Sequence, residues 1–129
     1  METNKDIVAG AYASFATGDV PAVLEIMDGR IEWNEADGFP LAGTFVGPQA
    51  VVDNVFMRLG EIGDEFTVTP DQFVAEEDTV VALGRYQWKR HTSGEPAEVK
   101  MAHVWTLANG KVTHFQQHVD TARVHELLE

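Results

Sequence analysis

The sequence of 129 residues contains no cysteine, which excludes disulfides, thiolate nucleophiles and cysteine-ligated metals and leaves the redox compartment open. Positive charge is scarce: 9 Lys and Arg stand against 21 Asp and Glu, giving a net charge of −12. Such a chain repels phosphate backbones and anionic bilayers and offers no basic stripe to hold them, so neither nucleic acid nor a membrane is an expected partner. No apolar run approaches the roughly 18 residues of a bilayer span, and the opening METNKD is polar where a signal peptide has an apolar core. The expectation is a soluble, cytoplasmic protein. Neither Ser14 nor Ser93 sits in a nucleophile elbow, and no glycine-rich phosphate loop precedes a helix, so no cofactor is expected.

Histidine is present but not grouped for a metal. His114 and His118 share a strand face yet stand ~13 Å apart, too far for one ion. His118 and Asp120 are nearer, but two ligands do not make a site, so no metal is expected.

The pattern of the remaining residues defines one domain, 1–129, long enough to bury roughly two-thirds of its unfolded surface. Thr3 and Asp6 fit a capping pair, after which Ile7, Val8, Ala11, Tyr12 and Phe15 repeat at helical spacing until Gly18. Asp19 caps a second short helix with Pro21 in its first turn. Asp28-Gly29 reads as a turn into the strand RIEWNEA, where Ile31, Trp33 and Glu35 share a face. After a loop rich in Gly and Pro, Gly47-Pro48 opens a third helix with one apolar side from Val51 through Ile62. Four strands follow, EFTVTP, DTVVALGRYQWKRH, AEVKMAHVWTL and KVTHFQQHV, and then a short terminal helix. Pro70 marks a bulge or strand end. Helices first and an antiparallel sheet second predict an α+β domain, with the helices over the concave side of a curved sheet.

His103 lies in the apolar row between Met101 and Trp105, and its neighbours depend on the turn LANGKV. A two-residue Asn109-Gly110 loop pairs His103 with Gln116, whereas a three-residue loop with Gly110 as a bulge pairs it with Phe115. The second register puts Phe115, Gln117 and Val119 on the face of Met101, His103 and Trp105; the first puts His114, Gln116 and His118 there. A buried face is apolar throughout, which selects the three-residue loop. The inner face then carries two polar groups, His103 and Gln117, among hydrocarbons, as ligand pockets do. A core histidine bonded to a backbone carbonyl is the plainer alternative. The opposite face, with Ala102, Val104, Val112, His114 and His118, is too apolar for a wet surface and predicts a twofold homodimer through the convex side of the sheet.

The stretches YASFATGDVPAVLEIM, GTFVGPQAVVDNVF and HVWTLANGKVTHFQQHVDTA, in this order of elements, resemble the nuclear transport factor 2-like superfamily, nearest to its SnoaL-like, ketosteroid-isomerase-related members. The resemblance implies a cystatin-like cone, α+β, in which N-terminal helices cover a highly curved antiparallel sheet that encloses a hydrophobic cavity. It implies proton transfer on a small hydrophobic carbonyl compound, by isomerisation or polyketide-cyclase-type aldol chemistry, without cofactor. Under it, Glu35 falls within a residue of the isomerase general base, and His103 falls where the isomerases place a protonated acid that donates to the enolate. Tyr12 sits about one position from the isomerase's oxyanion tyrosine, and Gln117 takes the place of the cyclase's aspartate. Glu35 and His103 are thus the candidate catalytic pair, and Tyr12, Trp33, Met101, Trp105, Phe115 and Gln117 the candidate substrate contacts. A binding or accessory module using the same pocket without turnover, and a protein-interaction adaptor, are the competing classes.

Overall fold

The computed structural model describes residues 2–128. Helix α1, Asn4–Ala16, begins where the capping pair predicts: Thr3 Oγ1 accepts from the Asp6 amide at 3.1 Å while Asp6 Oδ2 accepts from the Thr3 amide at 3.1 Å. Helix α2, Val20–Glu25, is capped by Asp19, which accepts from the Ala22 amide. The order then runs β1 Met27–Glu35, β2 Gly43–Val46, α3 Pro48–Asn54, a 3₁₀ segment Phe56–Glu61, β3 Asp64–Glu76, β4 Thr79–Lys89, β5 Pro96–Ala108, β6 Lys111–Val119 and α4 Thr121–Leu127. The six strands form one sheet in the order β2-β1-β6-β5-β4-β3. The pairing is antiparallel throughout except between β1 and β6, which run parallel, a departure from the wholly antiparallel expectation.

Four local expectations are corrected. Asp28 and Gly29 do not turn the chain; they lie inside β1, where Asp28 Oδ1 accepts from the Arg30 amide at 2.8 Å and the register against β6 shifts. The Gly/Pro loop contains a four-residue edge strand, β2. The third helix ends at Asn54 instead of running to Ile62, because Val55 (φ −120°, ψ −68°) breaks it. The tighter 3₁₀ winding beyond places the Phe56 ring 5.2 Å from Phe15 and 5.6 Å, edge-on, from Trp33, so aromatic packing overrides the helical period. Strand β3 passes through Pro70 to Glu76, absorbing the proline in the expected bulge between Pro70 and Gln72. Gly84 faces this bulge, and a Cβ there would lie 2.2 Å from the Thr69 carbonyl oxygen, so only glycine fits.

The β5–β6 hairpin has neither predicted register. Asn109 (φ 51°) and Gly110 (φ 77°) form a two-residue turn with both residues left-handed, pairing Leu107 with Val112. One residue, Thr113, is then left over before Thr106 pairs with His114, and from there His103 pairs with Gln117 and Trp105 with Phe115. The inner set of Phe115 and Gln117 stands as expected because the bulge restores it, but Val112, expected on the convex face, lies on the turn side of the bulge and is buried in the core opposite Leu107. Helices α1 and α2 lie over this concave face, and the core between them includes Val8, Val23, Ile31, Leu107 and Val112.

Candidate functional site

The inward rows of the sheet and the inner side of α1 enclose a cavity of about 60 Å³. Strand alternation delivers much of its lining, Trp33 and Glu35 from β1, Tyr86 from β4, His103 and Trp105 from β5, and Phe115 and Gln117 from β6, while α1 adds Tyr12. Trp33 stacks on Phe115 with ring centroids 3.7 Å apart, and Trp105 meets both rings edge-on, which makes an aromatic corner of one stacked pair and one ring across it. Phe15, Phe56, Leu59 and Phe66 line the cavity and also a second basin of about 580 Å³ beside it.

His103 is 5% exposed and bonded on both sides. Its Nδ1 is 2.5 Å from the Tyr12 hydroxyl and its Nε2 is 2.5 Å from the Tyr86 hydroxyl. Each tyrosine oxygen also accepts a second donor: Trp105 Nε1 at 3.0 Å on Tyr12, and Gln117 Nε2 at 2.8 Å on Tyr86. Gln117 is held by its other end, where Oε1 accepts from the Ala36 amide at 2.9 Å. Burial pushes the His103 pKa down to about 3, with a small contribution from His118, so the ring is neutral at pH 7. Burial raises both phenols, and the Glu35 charge raises Tyr86 further.

Glu35 is 4% exposed. Its Oε1 accepts from Trp33 Nε1 at 3.2 Å, while Oε2 is buried with no hydrogen-bond partner. Burial pushes its pKa up to about 8, against the opposing Trp33 bond. At pH 7 a carboxylic acid and four other neutral polar side chains, Tyr12, Tyr86, His103 and Gln117, therefore face a mostly hydrocarbon cavity.

Of the residues expected from sequence, Glu35, His103, Tyr12, Trp33, Trp105, Phe115 and Gln117 all line the cavity. Met101 does not. Its methyl lies against Gly84, 2.9 Å from where a Cβ would stand, on the side where Pro70 also approaches. Tyr86 was missed, although it shows the same anomaly as His103: a polar tip in an inward apolar row, Val80, Ala82, Tyr86, Trp88. Tyr12 turns its hydroxyl inward, onto His103. Away from the cavity, His114 Nε2 lies 2.8 Å from the Glu32 carboxylate and His125 Nε2 donates to the Gly38 carbonyl at 2.7 Å. Among the described residues no helix is long and apolar enough to cross a membrane.

A curved sheet of this strand order, roofed by N-terminal helices over a polar-tipped hydrophobic cavity, defines a protein of the nuclear transport factor 2-like fold. Within that class the chain belongs to the SnoaL-like domain family, whose model matches residues 8–115. It is similar to an NTF2-like protein from Burkholderia thailandensis at 39% identity and TM-score 0.93, covering 100% of this chain and 99% of that one. It is also similar to TerC, co-crystallised with polyporic acid, at 26% identity and TM-score 0.87, covering 96% of each chain. An uncharacterised protein of Mycobacterium tuberculosis is 26% identical over 120 residues, 90% of this chain and 88% of that protein.

Proposed function

We propose that this protein binds a small conjugated carbonyl compound in the cavity and moves a proton at the carbon beside the carbonyl, by isomerisation or aldol-type cyclisation. The observation that carries this reading is the unpartnered Oε2 of Glu35, a buried carboxyl oxygen in the same cavity as the Tyr12 and Tyr86 hydroxyls. Such chemistry needs a base at the carbon and a donor at the oxygen, in a dry site where both act more strongly than in water. Glu35 is the base. Both ring nitrogens of His103 are already engaged, so the group that reaches the oxygen is a tyrosine hydroxyl, with His103 holding it. Trp33, Trp105 and Phe115 hold the conjugated part of the ligand.

The cavity of about 60 Å³ is well below the roughly 300 Å³ of a typical ligand pocket. The oxygenated end of the ligand therefore enters it while the remainder extends past Phe56 and Leu59 into the second basin. The likeness to TerC, which was co-crystallised with polyporic acid, supports a small organic ligand for this chain.

A second reading, binding without turnover, is favoured by Gln117. Its amide is committed at both ends and cannot exchange a proton as the aspartate in its place would. Deuterium uptake from solvent by enolisable ketones and β-keto esters, followed by NMR, separates the two. Protein-dependent exchange reduced at least a hundredfold in Glu35→Gln is the expected result. Absence of exchange, with saturation-transfer signals showing that members of the panel bind, would replace the enzyme by the binding module.

A further inference from the structure

The hydrogen atoms of the Tyr12–His103–Tyr86 cluster can be counted. Each tyrosine brings one hydroxyl proton, and the neutral imidazole brings one N–H. The two bonds of 2.5 Å at Nδ1 and Nε2 use two of these three protons. Trp105 and Gln117 arrive as donors on the tyrosine oxygens, so they take up none of the surplus. One proton remains. A tyrosine that accepts from the imidazole N–H and from its second donor has both lone pairs occupied and its own O–H unclaimed. With the proton on Nδ1 that tyrosine is Tyr12; with the proton on Nε2 it is Tyr86. Among the described residues neither hydroxyl has an acceptor other than His103. The unclaimed O–H belongs to a group that lines the cavity.

We propose that His103 is a tautomeric selector, which leaves one phenol proton, on Tyr12 or on Tyr86, for a single oxygen acceptor in the cavity. The ligand it fits is an uncharged conjugated carbonyl compound whose oxygen takes that proton as a hydrogen bond. Two carbonyl positions are accepted by one site, since the imidazole proton follows whichever hydroxyl the oxygen engages. Exchange between the two states admits a proton at one hydroxyl and releases one at the other, so the cluster keeps three protons and no charge is left behind. In the ligand-free protein water carries them, and the bound ligand displaces it; a cavity of about 60 Å³ has room for water, given the roughly 10–15 Å³ one molecule needs. His103 is thus a positioning residue that acts through the tyrosines. The inference deepens the proposed function and rests on it for the nature of the acceptor, not for the proton count.

The test is ¹⁵N NMR of histidine-labelled protein, ligand-free at pH 7, in the wild type, Tyr12→Phe and Tyr86→Phe, because protonated and bare ring nitrogens resonate far apart. An orphaned buried N–H is rarer than an orphaned acceptor, so the imidazole proton turns to the surviving tyrosine. Tyr12→Phe is expected to carry it on Nε2 and Tyr86→Phe on Nδ1, with both nitrogens at intermediate shifts in the wild type. The same tautomer in both variants, or an imidazolium in either, overturns the proposal. Should a variant fail to fold, the wild type decides: intermediate shifts support the selector, and one nitrogen fully bare overturns it. Opposite tautomers without any deuterium exchange in the ketone panel would leave the selector standing and remove the enzyme reading alone.

Discussion

At the scale of single residues, two buried groups set opposite dependences on pH. Glu35 has a folded pKa of about 8 against an ordinary 4.5, so the folded chain binds more protons between these values and loses stability as pH rises through them. His103 has a folded value of about 3 against an ordinary 6.5, so the unfolded chain binds more protons there and stability is lost as pH falls from 6.5. Each slope approaches about 1.4 kcal/mol per pH unit at most, and the two oppose one another between 4.5 and 6.5. Urea midpoints measured against pH should show a plateau there, with Glu35→Gln abolishing the alkaline decline up to about pH 8. Parallel curves for wild type and variant would mean that Glu35 titrates normally. The rate follows the same group: if Glu35 is the base, exchange should climb about tenfold per pH unit and level off near 8. The polar residues of the site were legible because each breaks an apolar row. Tyr86 escaped because tyrosine is ordinary in a strand, and only the three-dimensional meeting of β4 with β5 shows what its hydroxyl is for.

At the scale of elements, what was legible was what local chemistry decides. The starts of α1 and α2 follow from side-chain caps, and the Pro70 bulge from a missing amide. What was not legible depends on partners distant in sequence: β2 exists because β1 offers it an edge, and the 3₁₀ segment exists because Phe56 packs on Phe15 and Trp33. The β6 bulge belongs to the same group, since Asn109-Gly110 fixes the turn while burial of Phe115 and Gln117 fixes the face, and Thr113 is left over between the two demands. Deleting Thr113 should therefore keep Phe115 and Gln117 inside, whereas deleting Gln116 puts Gln117 on the wrong face. Melting temperatures and ketone exchange of the two deletions should rank in that order; equal damage would contradict the bulge. Gly84→Ala should destabilise by ~2–3 kcal/mol in denaturant melts, because the new Cβ meets backbone that cannot yield.

For the whole molecule, we propose that the convex side of the sheet joins two copies. Its middle is formed by Val81, Leu83, Ala102 and Val104, with Leu83 38% exposed, and the Glu32–His114 pair lies beside them. Sedimentation should give a dimer for the wild type and a monomer for Val104→Asp, with ketone exchange per chain measured in both; a wild-type monomer would remove the proposal. The contrast between outside and inside has a further consequence. The exterior of a chain with net charge −12 surrounds a chamber in which, between about pH 3 and pH 8, Glu35, His103, Tyr12 and Tyr86 are all uncharged. Under the proposed function, the molecule should behave toward a weak organic acid as a droplet of immiscible solvent in a separating funnel: the neutral form partitions in and the anion stays in the water. Loading should then follow the acidity of the solute as much as its outline, and of two compounds with the same shape the weaker acid should be extracted.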